Sequence, residues 1–185
     1  MRWLANLKKH IGDSISVIGD SLFEKQIETL NCITLNYNQF KPGQLWDDIS
    51  EVLDVGQAEA KIYASTHCNL VSTWALLLVT NKIDLDYKDF FKYCYKNHYT
   101  KENGFMTVDK VSLFQTFDYD FTPEYNRDYN SLDKIDEGFY QMRIKGHFIA
   151  CYKTDRLYLS DTSYRGYGTH YTIVPRSEFK WLLKY

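Results

Sequence analysis

From residue 65 the chain carries a helical apolar pattern, with Leu70, Val71, Trp74, Leu77 and Leu78 recurring at the spacing of one helix face. Ser65 and Thr66 stand before it as N-cap candidates, which puts Cys68 in the first turn of the predicted helix. A second helix is predicted over 87–97, where Tyr87, Phe90, Phe91, Cys94 and Tyr95 form an apolar stripe. A short helix fits 46–53, with Trp46, Ile49 and Leu53 on one face, and another fits the vicinity of 107–114. Leu4, Leu7, Lys8 and Ile11 also have helical spacing, and residues 1–56 read as helical or mixed.

The last third changes period. Tyr140, Met142 and Ile144 alternate with Gln141 and Arg143, the mark of a strand with one face buried. Residues 147–152, 157–161 and 169–174 are further strand candidates, and a turn around Thr154 separates the first two. Helices first and an antiparallel sheet second make an α+β fold of one domain over residues 1–185. Within it, 1–55 reads as an N-terminal extension and 56–185 as the core.

Composition then narrows the function. The chain has 185 residues, 44% hydrophobic and 25% charged, so it can bury a core without staples. With 3 Pro and 9 Gly it is neither collagen-like nor of low complexity. The formal net charge is −2 and no basic block exceeds Lys8-Lys9, so no nucleic-acid partner is expected. The longest apolar run, Trp74 to Val79, is too short for a membrane span, and the charged start does not resemble an export signal. The expected location is the cytoplasm or a virion.

The four cysteines, at 32, 68, 94 and 151, form no CxxC pair and no evident disulfide framework. Cys68 at a helix start sits where backbone N–H groups and the helix dipole favour a thiolate. A buried, inert cysteine is the competing reading. Among the five histidines His147 has the most telling setting, since it opens a strand and shares a face with Ile149 and Cys151. A hairpin turn centred near Thr154 sets Asp161 across from it to within one residue of register. A carboxylate that fixes the imidazole tautomer is the third member of a Cys–His–Asp constellation. An exposed hairpin with an incidental His/Asp pair is the alternative. His67, Cys68, Cys94 and His98 lack the knuckle spacing of a zinc site, and no metal or cofactor is expected. The acidic residues between Asp118 and Glu137 fit no calcium loop and read as a solvated loop, and Gly166-Tyr167-Gly168 reads as a turn.

These residues carry a resemblance. The run Cys68-Asn69-Leu70-Val71-Ser72-Thr73-Trp74-Ala75 resembles the nucleophile helix of papain-like cysteine peptidases. The closest likeness is to the double-glycine leader peptidases, named for the peptidase domain of bacteriocin-exporting transporters, and to their stand-alone bacterial and phage relatives. Residues 138–148, ending Gly146-His147-Phe148, resemble the strand leading to the catalytic histidine. Residues 157–162 resemble the strand ending in the orienting aspartate, with Thr162 where a proline is usual, and 177–181 resemble the closing segment. The likeness spans about residues 55–185.

It implies a papain-like fold, with a helical layer bearing the nucleophile packed on the antiparallel sheet. It also implies a cysteine peptidase acting on a peptide or protein substrate through a thioester. Cys68 would be the nucleophile, His147 the general base and acid, and Asp161 the orienter. Ile62 occupies the position, six residues before the cysteine, at which papain carries its oxyanion glutamine. Gln57, 11 residues upstream, matches the looser spacing of the stand-alone relatives. It reads either as the oxyanion donor, together with the Cys68 N–H, or as a surface glutamine. Two other functions fit the same residues: an inactive peptide- or partner-binding module, and an acyl transferase or deamidase.

Overall fold

The computed structural model describes residues 24–30, 32–33, 36–80, 82–108, 110–117, 125–126, 136–144, 147–154, 157–160, 162 and 179–184. The expected strand over 169–174, the start of the chain and most of the acidic stretch lie outside these residues.

Helices occupy the first two thirds. They are α1 (24–30), α2 (Gln44–Leu53), α3 (Gln57–Ala64), α4 (Cys68–Val79), α5 (Tyr87–Lys96) and α6 (Lys110–Gln115). Helix α5 forms for local reasons: its stripe buries Tyr87, Phe90, Phe91 and Cys94, and the Asp86 side chain accepts the Asp89 N–H at 2.8 Å as an N-cap. Helix α4 is buried on every side except at Asn69 and Leu78, as the central helix of a core must be. Helix α3 buries only Ala60 and Ala64, so its sequence carries almost no helical stripe.

Strands follow: β1 (Tyr125–Asn126), β2 (Gly138–Ile144), β3 (His147–Lys153), β4 (Leu157–Ser160) and β5 (Phe179–Lys184). They form one antiparallel sheet in the order β1-β5-β2-β3-β4. The architecture is therefore α+β, with α4 packed against β3 and β2.

Two expectations change. Ser65 and Thr66 do not cap α4; their hydroxyls bond back to the Ile62 and Tyr63 carbonyls and finish α3, and the N-cap is His67, which makes no side-chain cap bond. Among the described residues before 56, Leu30, Ile33, Leu45, Trp46 and Ile49 belong to the same core as α4 and α5. The one-sided alternation in β2 also fails. Tyr140 and Met142 are buried on one face and Gln141 is fully buried on the other, because α4 covers the face that sequence assigns to solvent.

Candidate active site

Cys68 is the first residue of α4, where the helix leaves its leading N–H groups without intrahelical acceptors. Its side chain is buried and its sulfur is held by three groups: the His147 imidazole, the Phe148 N–H and the Asn69 N–H. Burial pushes the thiol up. The His147 hydrogen bond and charge, with the two backbone donors, outweigh that and leave it below the usual thiol range. The other buried cysteines have no such partners. Burial alone raises Cys94 to about 12 and drives Cys151 far above the ordinary range, while Cys32 is exposed. Of the three buried cysteines, only Cys68 has its thiol lowered.

His147 is the first residue of β3 and pairs with Ile144 in the β2–β3 hairpin. Its strand runs beside α4, which brings the imidazole and the following N–H to one sulfur. The structure thus joins two residues 79 positions apart.

His67, the residue before Cys68, is fully buried and makes two hydrogen bonds. Its Nε2 lies 2.8 Å from the Glu102 carbonyl, and a carbonyl only accepts, so Nε2 carries the proton. Nδ1 then accepts the Tyr87 hydroxyl at 2.6 Å. Burial lowers this imidazole to about 4, against the pull of the Glu102 carbonyl, so the ring is neutral. His67 is an anchor for the α4 start. It is clasped by the loop 100–106, which closes with a bridge between Thr100 and Met106 and with Gly104 lying against the ring.

Gln57 opens α3 and is exposed, with its amide donating to Asp47 Oδ1 at 3.0 Å. Seven helical steps, about 10 Å of rise, separate it from the end of α3 that leads to Cys68. The structure brings His147 to the thiol and leaves Gln57 with Asp47. The orienting position, Asp161, lies outside the described residues. Its neighbours are placed: β3 and β4 pair Ala150 with Ser160 and Lys153 with Leu157, so the hairpin is centred on position 155, one residue beyond the expected Thr154. The turn is a three-residue connection, which moves the partner of each β3 residue by two positions. Thr162, directly after Asp161, is buried, and its carbonyl accepts the Gln39 N–H at 2.9 Å. The Gln39 side chain is in turn donated to the Ala64 carbonyl at 3.0 Å, which fastens the end of α3 to this point.

Sequence reading passed over Gln141. Its Nε2 lies 2.6 Å from Ser72 Oγ and within 3.2–3.3 Å of Thr73 Oγ1, Asn69 Oδ1 and the Asn69 carbonyl. The signal was present in α4, where Ser72-Thr73 interrupts an apolar run and asks for a polar partner.

Among the described residues no group of three or more His, Cys, Asp or Glu side chains is placed to hold a metal ion. Nor is any single helix there long and apolar enough to cross a membrane. No family model, curated protein or solved structure matches the chain.

Proposed function

We propose that the protein is a papain-like cysteine hydrolase that cleaves a peptide or amide bond, with Cys68 as nucleophile and His147 as general base and acid. One observation carries the reading: a thiol at a helix start, hydrogen-bonded by an imidazole and lowered despite its burial. The papain-like arrangement is supported by a nucleophile helix lying against the antiparallel strand that begins with His147.

In this mechanism the Cys68 thiolate adds to the scissile carbonyl and forms the C–S bond. The negative oxygen is received by backbone N–H groups at the start of α4. Collapse breaks the C–N bond, and His147 passes its proton to the departing amine. His147 then takes a proton from water, whose oxygen displaces the thiol and releases the acid. Asp161 takes the orienting role by resemblance. Gln57 takes no part in this mechanism, because its amide is bonded to Asp47 at the far end of α3.

The test is labelling by a thiol-reactive peptidyl probe, followed by mass spectrometry of a proteome treated with wild type or Cys68→Ala. New peptide termini with wild type alone support hydrolysis. Deamidated glutamine without new termini indicates the deamidase chemistry, and neither product indicates a binding module. Equal labelling of wild type and Cys68→Ala removes the assignment.

A further inference from the structure

We propose that Gln141 is a positioning residue that sets the distance between the Cys68 thiol and His147, a role that rests on reading those two as nucleophile and base. Gln141 is fully buried in the middle of β2, with its side chain on α4. A buried amide costs stability unless its donors are used, and here four acceptors of the first turns of α4 surround its nitrogen.

The contact has two levels. Ser72 lies four residues after Cys68 on the same face, about 6 Å along the axis. Ala150, the register partner of Gln141, lies two residues after Phe148 on one face of β3, about 6.6 Å along the strand. The Cys68–Phe148 contact and the Ser72–Gln141 contact are therefore successive rungs between the same helix and the same sheet. At the second rung the sheet offers the small Ala150, so no bulky apolar side chain fixes the spacing there. The length of Gln141 and its 2.6 Å bond to Ser72 do so. An apolar residue at 141 leaves α4 free to settle at another distance, and the imidazole–thiol contact one turn away changes with it.

The experiment follows alkylation of Cys68 by iodoacetamide against pH, resolved by peptide mass spectrometry, with urea unfolding of each protein. The proteins are wild type, Gln141→Leu, His147→Ala, the double variant and Ser72→Ala. Gln141→Leu is expected to fold, because Ser72 and Thr73 keep their own bonds to the Asn69 carbonyl at 3.1 and 2.8 Å. It should raise the Cys68 midpoint by about half a pH unit, a roughly threefold slower reaction at pH 6. In the His147→Ala background the same change should do nothing, since the partner it positions is gone. Ser72→Ala, which removes the nearest acceptor, should shift the midpoint in the same direction and serves if Gln141→Leu does not fold. A lower urea midpoint with an unmoved Cys68 midpoint in both variants would make Gln141 a packing residue only. An equal shift with and without His147 would place its effect on the helix start instead. If His147→Ala itself moves nothing, the nucleophile–base reading falls and takes this role with it. A response to His147→Ala alone overturns only the role of Gln141.

Discussion

The Tyr87 hydroxyl donates to Nδ1 of His67 at 2.6 Å, joining α5 to the residue that precedes Cys68. Tyr87 also packs with its ring 5.4 Å from Trp74 and 5.5 Å from Tyr37, so its body belongs to the core while its oxygen serves the site. Tyr87→Phe keeps the ring and strands a buried acceptor on His67. The expected loss is about 1–3 kcal/mol. For a chain of this size that lowers Tm by about 2–4 °C per kcal/mol, measurable by calorimetry.

Two buried groups should give opposing pH dependences. His67 is lowered from 6.5 to about 4, so the unfolded chain binds its proton more tightly. The stability it leaves intact above pH 6.5 is lost as the pH falls towards 4, on the order of 3 kcal/mol in all. Asp48 is raised from 3.8 to about 6, by burial first and by Asp86 and Glu51, against the Gln44 amide and Lys88. There the native state holds the proton more tightly, so stability falls as pH rises from 3.8 through 6. The two slopes oppose between about pH 4 and 6, and Asp48→Asn removes one of them. The variant's stability minus that of wild type, from urea unfolding, should therefore climb with pH across this window by up to about 1.4 kcal/mol per unit. Parallel curves would show that Asp48 is not held protonated.

Gly104 has φ +71°, and a Cβ there would lie 2.9 Å from His67 Cγ and Cδ2 and 3.0 Å from its Cα. The left-handed backbone costs an L-residue roughly 1–2 kcal/mol, and the close approach adds to it. Gly104→Ala should lower Tm and also slow Cys68 alkylation, because the displaced ring belongs to the residue immediately before Cys68. A stable Gly104→Ala with wild-type Cys68 reactivity would show that the loop yields without moving His67.

Alkylation of the native protein at pH 6 should proceed at Cys68 well before Cys94 and Cys151. Cys68 has an imidazole and two N–H groups to support its thiolate, whereas burial raises Cys94 to about 12 and raises Cys151 further. Timed quenching and peptide mapping give the order. Earlier modification of Cys94 or Cys151 would contradict the site as described.

Features that depend on neighbours along the chain were readable before any fold was known. The α5 stripe, a helix with Cys68 in its first turn, and the strand beginning at His147 are all periodicity effects that a window of residues contains. Cys68 and His147 were each legible as candidates from their places at a helix start and a strand start, but a separation of 79 residues leaves no local signal that they meet. Tertiary structure decided the rest. It buried Gln141 against Ser72, since a strand covered on both faces no longer alternates between core and solvent. It built α2 into the core and gave α3 a helical course that its own apolar positions barely specify. It moved the β3–β4 hairpin centre by one residue, because turn geometry sets register there. It also gave Gln57 to Asp47, because the far end of α3 faces α2 and spacing in sequence does not say which way a helix will turn.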